Sequence, residues 1–279
     1  MTFCTKNDKI WDGKLEILLQ KGDCMIYAIS DIHGCYKALE NALDSNDIIK
    51  KISEGSKLIF LGDYIDRGPD SYRVLERIWC LQKEFGSEKV VVLKGNHEDW
   101  FLSFLFEEDD IWLVEDGGLR TSKTFLQEED LNHIVNLAKE DSVSLVYSYI
   151  RERILKSHLE MLNWLRSLPL FYETSNQIFV HAGIDEEAGD LWKIGTADYC
   201  FLNKYPPELG HFKKMIIAGH VSTSSIYGDK SFHHIFYDKK SHIYIDGTAI
   251  KTGKILVLGY DEETNCYYEI DDGKLKRIN

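Results

Sequence analysis

Five short stretches of this chain gather side chains of the kinds that can ligate divalent cations. They are Asp31-Ile32-His33-Gly34, Gly62-Asp63-Tyr64-Ile65-Asp66-Arg67-Gly68, Gly95-Asn96-His97-Glu98, His181-Ala182-Gly183 and Gly219-His220. Between them they offer Asp31, His33, Asp63, Asn96, His181 and His220 as metal ligands. Mixed imidazole and oxygen donors suit hard-to-borderline ions such as manganese, iron or zinc. The set is too large for one ion, and a carboxylate can bridge two. Two ions roughly 3.5–4 Å apart activate a water and clamp a phosphoryl oxygen for in-line displacement. Arg67 adds a fork-shaped guanidinium that matches two phosphate oxygens. Singly, each stretch is bland: Asp-x-His is common, Asn96 could cap a helix, and a lone histidine is more often a hydrogen-bonded core residue. Their joint placement carries the signal.

Each stretch follows a short apolar run, at residues 25–29, 58–61, 90–93, 178–180 and 215–218. Runs this short, continuous and β-branched read as strands buried on both faces. Helix-like segments at 36–43 and 71–85 separate the first three, which predicts a βαβαβ unit with parallel strands. Loops leaving the carboxyl ends of such strands converge on one edge, where ligands bind. From about residue 100 to 170 the apolar spacing turns helical (Leu145, Tyr149, Ile154, Leu155, Leu159, Leu162, Leu165), predicting a helical cap inserted between the third and fourth strands. Beyond residue 222, segments 233–237, 242–245, 255–260 and 267–270 read as strands, punctuated by Asp246-Gly247 and Asp272-Gly273. With no linker and no repeat, one domain over 1–279 with that insertion is expected.

The chain has 279 residues, 44% of them hydrophobic, which suffices for a substantial core. Its 33 Lys and Arg against 46 Asp and Glu give a formal net charge of -13. That balance argues against nucleic acid or an anionic membrane as partner, since both are polyanions. A small phosphorylated substrate stays possible, because bound divalent cations reverse the local field. The six cysteines are scattered singly, a pattern of reduced thiols. Residues 1–12 show no apolar leader segment, and no run reaches membrane-span length. A cytoplasmic protein is expected.

Asp-x-His-Gly, Gly-Asp-x-x-Asp-Arg-Gly and Gly-Asn-His-Glu, in this order and followed by His-Ala-Gly and Gly-His, resemble the signature of the phosphoprotein phosphatase family of calcineurin-like metallophosphoesterases. Chain length and short motif loops are most similar to its bacterial and phage Ser/Thr phosphatase branch, which also holds symmetrical diadenosine-tetraphosphate hydrolases. The resemblance spans about residues 26–259. It implies an α/β/β/α sandwich of two mixed sheets flanked by helices, and two divalent ions, manganese foremost. It places the first ion on Asp31 and His33, the second on Asn96, His181 and His220, and Asp63 between them. It makes His97 the general acid for the leaving oxygen and Asp66 its orienting partner. An imidazole with a pKa near neutrality can protonate an alkoxide, and a paired carboxylate holds it charged and aimed.

The sequence departs from the family in lacking an arginine between His181 and His220, where a second phosphate-binding one is usual. Lys193, just after Trp192, or Arg120, in Gly117-Gly118-Leu119-Arg120-Thr121, is the expected substitute. The leading expectation is a phosphatase acting on phosphorylated Ser, Thr or Tyr in proteins or on a small phosphoester. The alternative is a dinucleoside polyphosphate hydrolase or other nucleotide phosphohydrolase, and a retired, non-catalytic phosphatase fold would require a lost ligand or a lost acid. His233-His234 is read as adjacent strand residues facing opposite ways, Cys35 as packing at a helix start, and Trp100, Phe101, Phe104 and Phe106 as helix packing.

Overall fold

The computed structural model describes residues 8–11, 14–17, 24–115, 117–139 and 143–279; Cys4 and the leader expectation for the first seven residues lie outside them. Strands β1 (Asp8–Trp11) and β2 (Lys14–Ile17) pair antiparallel at one edge of an eight-stranded sheet. At its other edge β3 (Met25–Ile29), β4 (Lys57–Phe60) and β5 (Val90–Val92) run parallel. Helices α1 (Tyr36–Ser45) and α2 (Ile48–Ser53) join β3 to β4, and α3 (Ser71–Phe85) joins β4 to β5. This is the expected βαβαβ unit, with α3 over the same residues as read from sequence. The uninterrupted apolar runs follow from burial on both faces. Tyr27, Ile29, Leu58 and Phe60 face the helices, while Ile26, Ala28, Ile59 and Leu61 face a second sheet, as the two-residue period of a strand requires.

That second sheet has the order β6 (Phe171–Glu173), β7 (Gln177–Val180), β8 (Met215–Ser222), β10 (His242–Asp246), β9 (Phe236–Tyr237). Its central strands β7, β8 and β10 are parallel. β11 (Val257–Asp261) then returns to lie antiparallel beside β3, followed by β12 (Cys266–Asp271) and β13 (Lys274–Arg277). Phe179, Ile217, Ile243 and Ile245 fill the space between the sheets, and Trp192 and Phe201 cover the outer face of the second. Two mixed sheets flanked by helices result, in the layer order that the resemblance implies.

Between β5 and β6 the described residues form five helices, α4 (Asn96–Phe106), α5 (Ile111–Glu115), α6 (Gly118–Phe125), α7 (Glu128–Lys139) and α8 (Val143–Arg166). They extend the outer helical layer: Phe101, Phe104, Trp112, Ile154 and Leu162 share one apolar cluster with Leu75 and Ile78 of α3. α8 bends at His158, where the backbone leaves helical geometry (φ −128°, ψ 20°). Its buried stripe is Val146, Ile150 and Ile154 before the bend and Met161, Leu162 and Leu165 after it. Leu145 and Leu159 lie in this helix, as its spacing implies, but off that stripe, and both are exposed. The strand expected at 233–237 is likewise shorter. The Glu269 carboxylate accepts from His234 Nδ1 (2.5 Å) and Ile235 N (2.9 Å), drawing these residues out of the ladder before β9 begins. No helix among the described residues is long and apolar enough to cross a membrane.

At the start of β10, buried His242 bonds Glu186 through Nε2 (2.8 Å) and Asp238 through Nδ1 (3.0 Å). Burial alone would lower its pKa, but Glu186 and then Asp238 outweigh it and raise the pKa above the ordinary value. A raised folded-state pKa means stability that is full below the unfolded pKa and lost as pH rises through the folded one. His242→Ala is therefore expected to cost about 2 kcal/mol at pH 6, where it removes the charged partner of two half-buried carboxylates. The deficit against wild type should shrink by pH 9, read by denaturant unfolding; a deficit independent of pH would contradict the charged pair.

Candidate metal centre and active site

The loops that leave β3 and β4 are tied to one another through their backbones. Asp31 N donates to Gly62 O (3.1 Å), His33 N to Asp63 O (2.9 Å) and Gly34 N to Tyr64 O (2.7 Å). From the second sheet, Gly219 N donates to His181 O (2.8 Å). Glu98, buried in the first turn of α4, locks the array. Its carboxylate accepts from Asp63 N (2.8 Å), Tyr64 N (2.8 Å), Gly95 N (3.0 Å) and Ile65 N (3.3 Å). Burial still pushes its pKa up to about 7 against those four donors.

The packing leaves no room for side chains at two glycines. A Cβ on Gly95 would lie 2.3 Å from Asp63 N, and one on Gly219 2.1 Å from Asp31 Oδ2. Asp31, His33, Asp63, Asp66, Arg67 and His220 all hold left-handed backbone, with φ between 46° and 68°. Asp and His tolerate that region better than most residues, and its clustering here marks a site under geometric constraint.

Asp63 stands at the centre. Its Oδ2 lies 3.5 Å from His33 Nε2 and its Oδ1 3.3 Å from His181 Nε2, so one carboxylate faces two ligand sets. His33, Asp63 and His97 form one group, and Asp63, His181 and His220 another, each with donor atoms within 4.8 Å of one another. Asp31 joins the first through Oδ1, 3.9 Å from His33 Nε2. Asn96 joins the second through Oδ1, 2.8 Å from His181 Nε2 and 3.1 Å from His220 Nδ1. All six residues expected as ligands are thus brought together.

The donors fit divalent cations. His33 Nδ1 donates to Ile65 O and His181 Nδ1 to Leu61 O, both at 2.9 Å. That fixes both tautomers and leaves each Nε2 with its lone pair, which at His33 accepts from Arg67 Nη1 beside the carboxylates; the Nδ1 bond is the usual second bond of a metal-binding imidazole. At His181 the lone pair meets the oxygens of Asn96 and Asp63, a convergence of acceptors suited to a cation. Burial opposes charge throughout. It raises the pKa of Asp31, with Asp246 adding to the effect, and of Asp63, with Asp31 adding. It depresses His33, with Arg67 adding, and His181, with His220 adding. A bound cation inverts that logic for the carboxylates.

Beside the first group, His97 Nδ1 donates to Asp66 Oδ2 (2.7 Å), leaving Nε2 3.8 Å from Asp63 Oδ2. Arg67 Nη1 donates to His33 Nε2 (2.8 Å) and Nη2 to His97 Nε2 (3.1 Å), so its guanidinium lies across both imidazoles. Arg120 Nη1 donates to the Arg67 carbonyl (2.8 Å), which puts a second arginine at this rim. Lys193 is not brought there. It pairs with Glu173, which sits across from Ile178, three residues before His181. That carboxylate neutralises it at the far end of β7, correcting its expected role on phosphate. Cys35 precedes α1 and bonds the His33 carbonyl, and burial, then Asp70, pushes its thiol pKa up. Phe101 and Phe104 are buried packing residues, while Trp100 rests its ring 4.9 Å from that of His97.

Residues 25–240 match the calcineurin-like phosphoesterases. The chain belongs to that family. A symmetrical bis(5'-nucleosyl)-tetraphosphatase from Nitrosospira multiformis is 29% identical over 159 residues, 57% of this chain and 43% of its own. One from Coxiella burnetii is 32% identical over 172 residues, 60% of this chain and 43% of its own. The chain thus spans less than half the length of these curated relatives. A cold-active protein-tyrosine phosphatase of a psychrophile Shewanella species superposes with a TM-score of 0.57 at 19% identity, over 92% of this chain and 81% of that one. A protein serine/threonine phosphatase from Saccharomyces cerevisiae gives 0.53 at 15%, over 92% and 79%. These structures share the metallophosphoesterase fold.

Sequence reasoning passed over four residues of this phosphoesterase site. Glu98 had a signal, since a Glu at the third helical position reads as a capping box. Asp246, read only as a turn residue, is buried at the end of β10 and acts on Asp31. Trp112 and Thr121 donate to Asp66 Oδ2 (2.7 Å) and Oδ1 (2.5 Å) from helices 46 and 55 residues downstream. Thr121 lies in the glycine-led segment that carries Arg120; Trp112 had no local signal.

Two outcomes are expected here. Asp63→Ala should empty both metal positions and His181→Ala one, read as metal stoichiometry on purified protein; equal losses would deny the shared carboxylate. Glu98→Gln, whose amide would turn N–H groups against N–H groups, should lower unfolding stability by about 3 kcal/mol.

Proposed function

We infer that this chain is a two-metal phosphomonoesterase, acting on phospho-Ser or phospho-Thr (or phospho-Tyr) in proteins or peptides. The single observation behind it is Asp63, whose two oxygens face two ligand sets beside a His97–Asp66 pair. Divalent cations on Asp31, His33 and Asp63, and on Asp63, Asn96, His181 and His220, would supply an activated water and neutralise phosphoryl charge. The mixed imidazole and oxygen donors suit manganese, with iron or zinc also accommodated. Arg67, backed by Arg120, grips the non-bridging oxygens and orients the ester. His97 stands in the first donor group too, but Asp66 takes its Nδ1–H; Nε2, which here accepts from Arg67, would carry the transferable proton once the imidazole is protonated and Arg67 turns to the phosphate oxygens. As the ester P–O bond breaks, that proton goes to the leaving oxygen, and water's oxygen stays on phosphorus as inorganic phosphate. Asp66 holds the imidazolium charged and aimed until the transfer.

A built proton donor supports a poor leaving group such as a serine or threonine alkoxide. A second reading, hydrolysis of dinucleoside polyphosphates, draws on the names of the relatives from Nitrosospira and Coxiella. The net charge of -13 supports a substrate other than nucleic acid or membrane. We read 1–279 as one domain. The five free cysteines among the described residues suit a reducing cytoplasm.

The test is a substrate panel with manganese: phosphopeptides, p-nitrophenyl phosphate, a phosphodiester and diadenosine tetraphosphate. Phosphopeptide turnover should dominate; preference for diadenosine tetraphosphate would select the second reading. His97→Asn should cut turnover of the phosphopeptide by roughly 100-fold or more while both metals persist. Normal turnover in that variant would remove His97 as the acid.

A further inference from the structure

We propose that the helical insertion sets the proton donor: Trp112 on α5 and Thr121 on α6 are positioning residues that aim Asp66 at His97. The assignment rests on the reading of His97 as general acid. Asp66 is fully buried, and its carboxylate takes three donors, His97 Nδ1 and Trp112 Nε1 on Oδ2 and the Thr121 hydroxyl on Oδ1. A carboxylate held on both oxygens cannot rotate away from the imidazole. The Thr121 hydroxyl also accepts from Asp66 N (3.1 Å), so it clamps both the backbone and the side chain of a residue in left-handed geometry.

Both positioning groups are themselves fixed. The Trp112 indole packs against Phe101 and Phe104, with ring centroids 4.9 and 5.4 Å away. Thr121 Oγ1 lies 3.1 Å from Ser71 Oγ, at the start of α3. Arg120, one residue before Thr121, bonds the Arg67 carbonyl. One turn of α6 therefore touches both the residue that would orient the acid and the residue that would grip the phosphate. The first-sheet loops alone supply none of these groups.

A role in aiming the acid has a signature that simple packing lacks. Loss of proton donation slows departure of an alkoxide far more than departure of p-nitrophenolate, which is stable as an anion near neutrality. Thr121→Val keeps the side-chain shape and removes the donor. It should lower kcat for a phosphoserine peptide about tenfold but for p-nitrophenyl phosphate only about twofold, with KM little changed. Thr121→Ser should restore the peptide rate. Trp112→Phe, which keeps an aromatic ring in the stack, should show the same split and carries the test if Thr121→Val fails to fold. Metal content and melting temperature are measured alongside. Equal losses on both substrates, or full peptide turnover in folded Thr121→Val and Trp112→Phe, would overturn the assignment. Wild-type protein inactive on both substrates would instead remove the phosphatase reading, and this assignment with it.

Discussion

Four backbone N–H groups converge on the buried carboxylate of Glu98, and the geometry of the site hangs on that convergence. Three come from the loop after β4 and one from the loop after β5, so one side chain sets the spacing of two strand ends. Asp63, the residue common to both ligand sets, is the first residue so held. Each such hydrogen bond contributes about 1 kcal/mol net, and more while the carboxylate is ionised. The four together help hold a turn whose left-handed residues cost about 1–2 kcal/mol each. Without Glu98 the loop would relax toward ordinary backbone, and the two faces of Asp63 would no longer address two sheets.

The second sheet completes what the first begins. β7, β8 and β10 are parallel and end at the same edge, bringing His181, His220 and Asp246 opposite Asp31, Asp63 and Asn96. The apolar layer between the sheets holds these two rows at a fixed separation. Gly219 and Gly95 let the rows approach to distances that a single methyl group would prevent. Buried charge is the electrostatic consequence. Carboxylates are pushed toward neutrality and imidazoles away from protonation, an imbalance that divalent cations are suited to relieve.

The helical insertion belongs to the same machinery. It packs on α3 as a continuation of the outer layer, and its α5 and α6 reach inward to Asp66 while Arg120 meets the Arg67 backbone. Parts distant in sequence are thereby brought into contact: α6 holds Asp66 through Thr121 and the Arg67 backbone through Arg120.

Much of this is legible in the amino-acid sequence. Apolar runs ending in Asp, Asn or His mark strand ends, and the alternation with helices dictates that parallel strands present those ends at one edge. Ligand types, their order and the βαβαβ unit are local properties, governed by steric and burial rules that act over a few residues. Side-chain reach across the fold is not local. Lys193 looks available in the sequence, but the register of β6 against β7 places Glu173 beside it. Leu145 and Leu159 fit helical spacing, but the stripe that α8 turns inward runs through Val146, Ile150, Ile154, Met161 and Leu165, so both are exposed. Trp112 becomes a partner of Asp66 only because α5 folds back onto α4, a contact between residues 46 positions apart. Residue types and their spacing specify which chemistry is possible; long-range packing chooses which atoms touch, because a hydrogen bond depends on a few tenths of an ångström that no local pattern encodes.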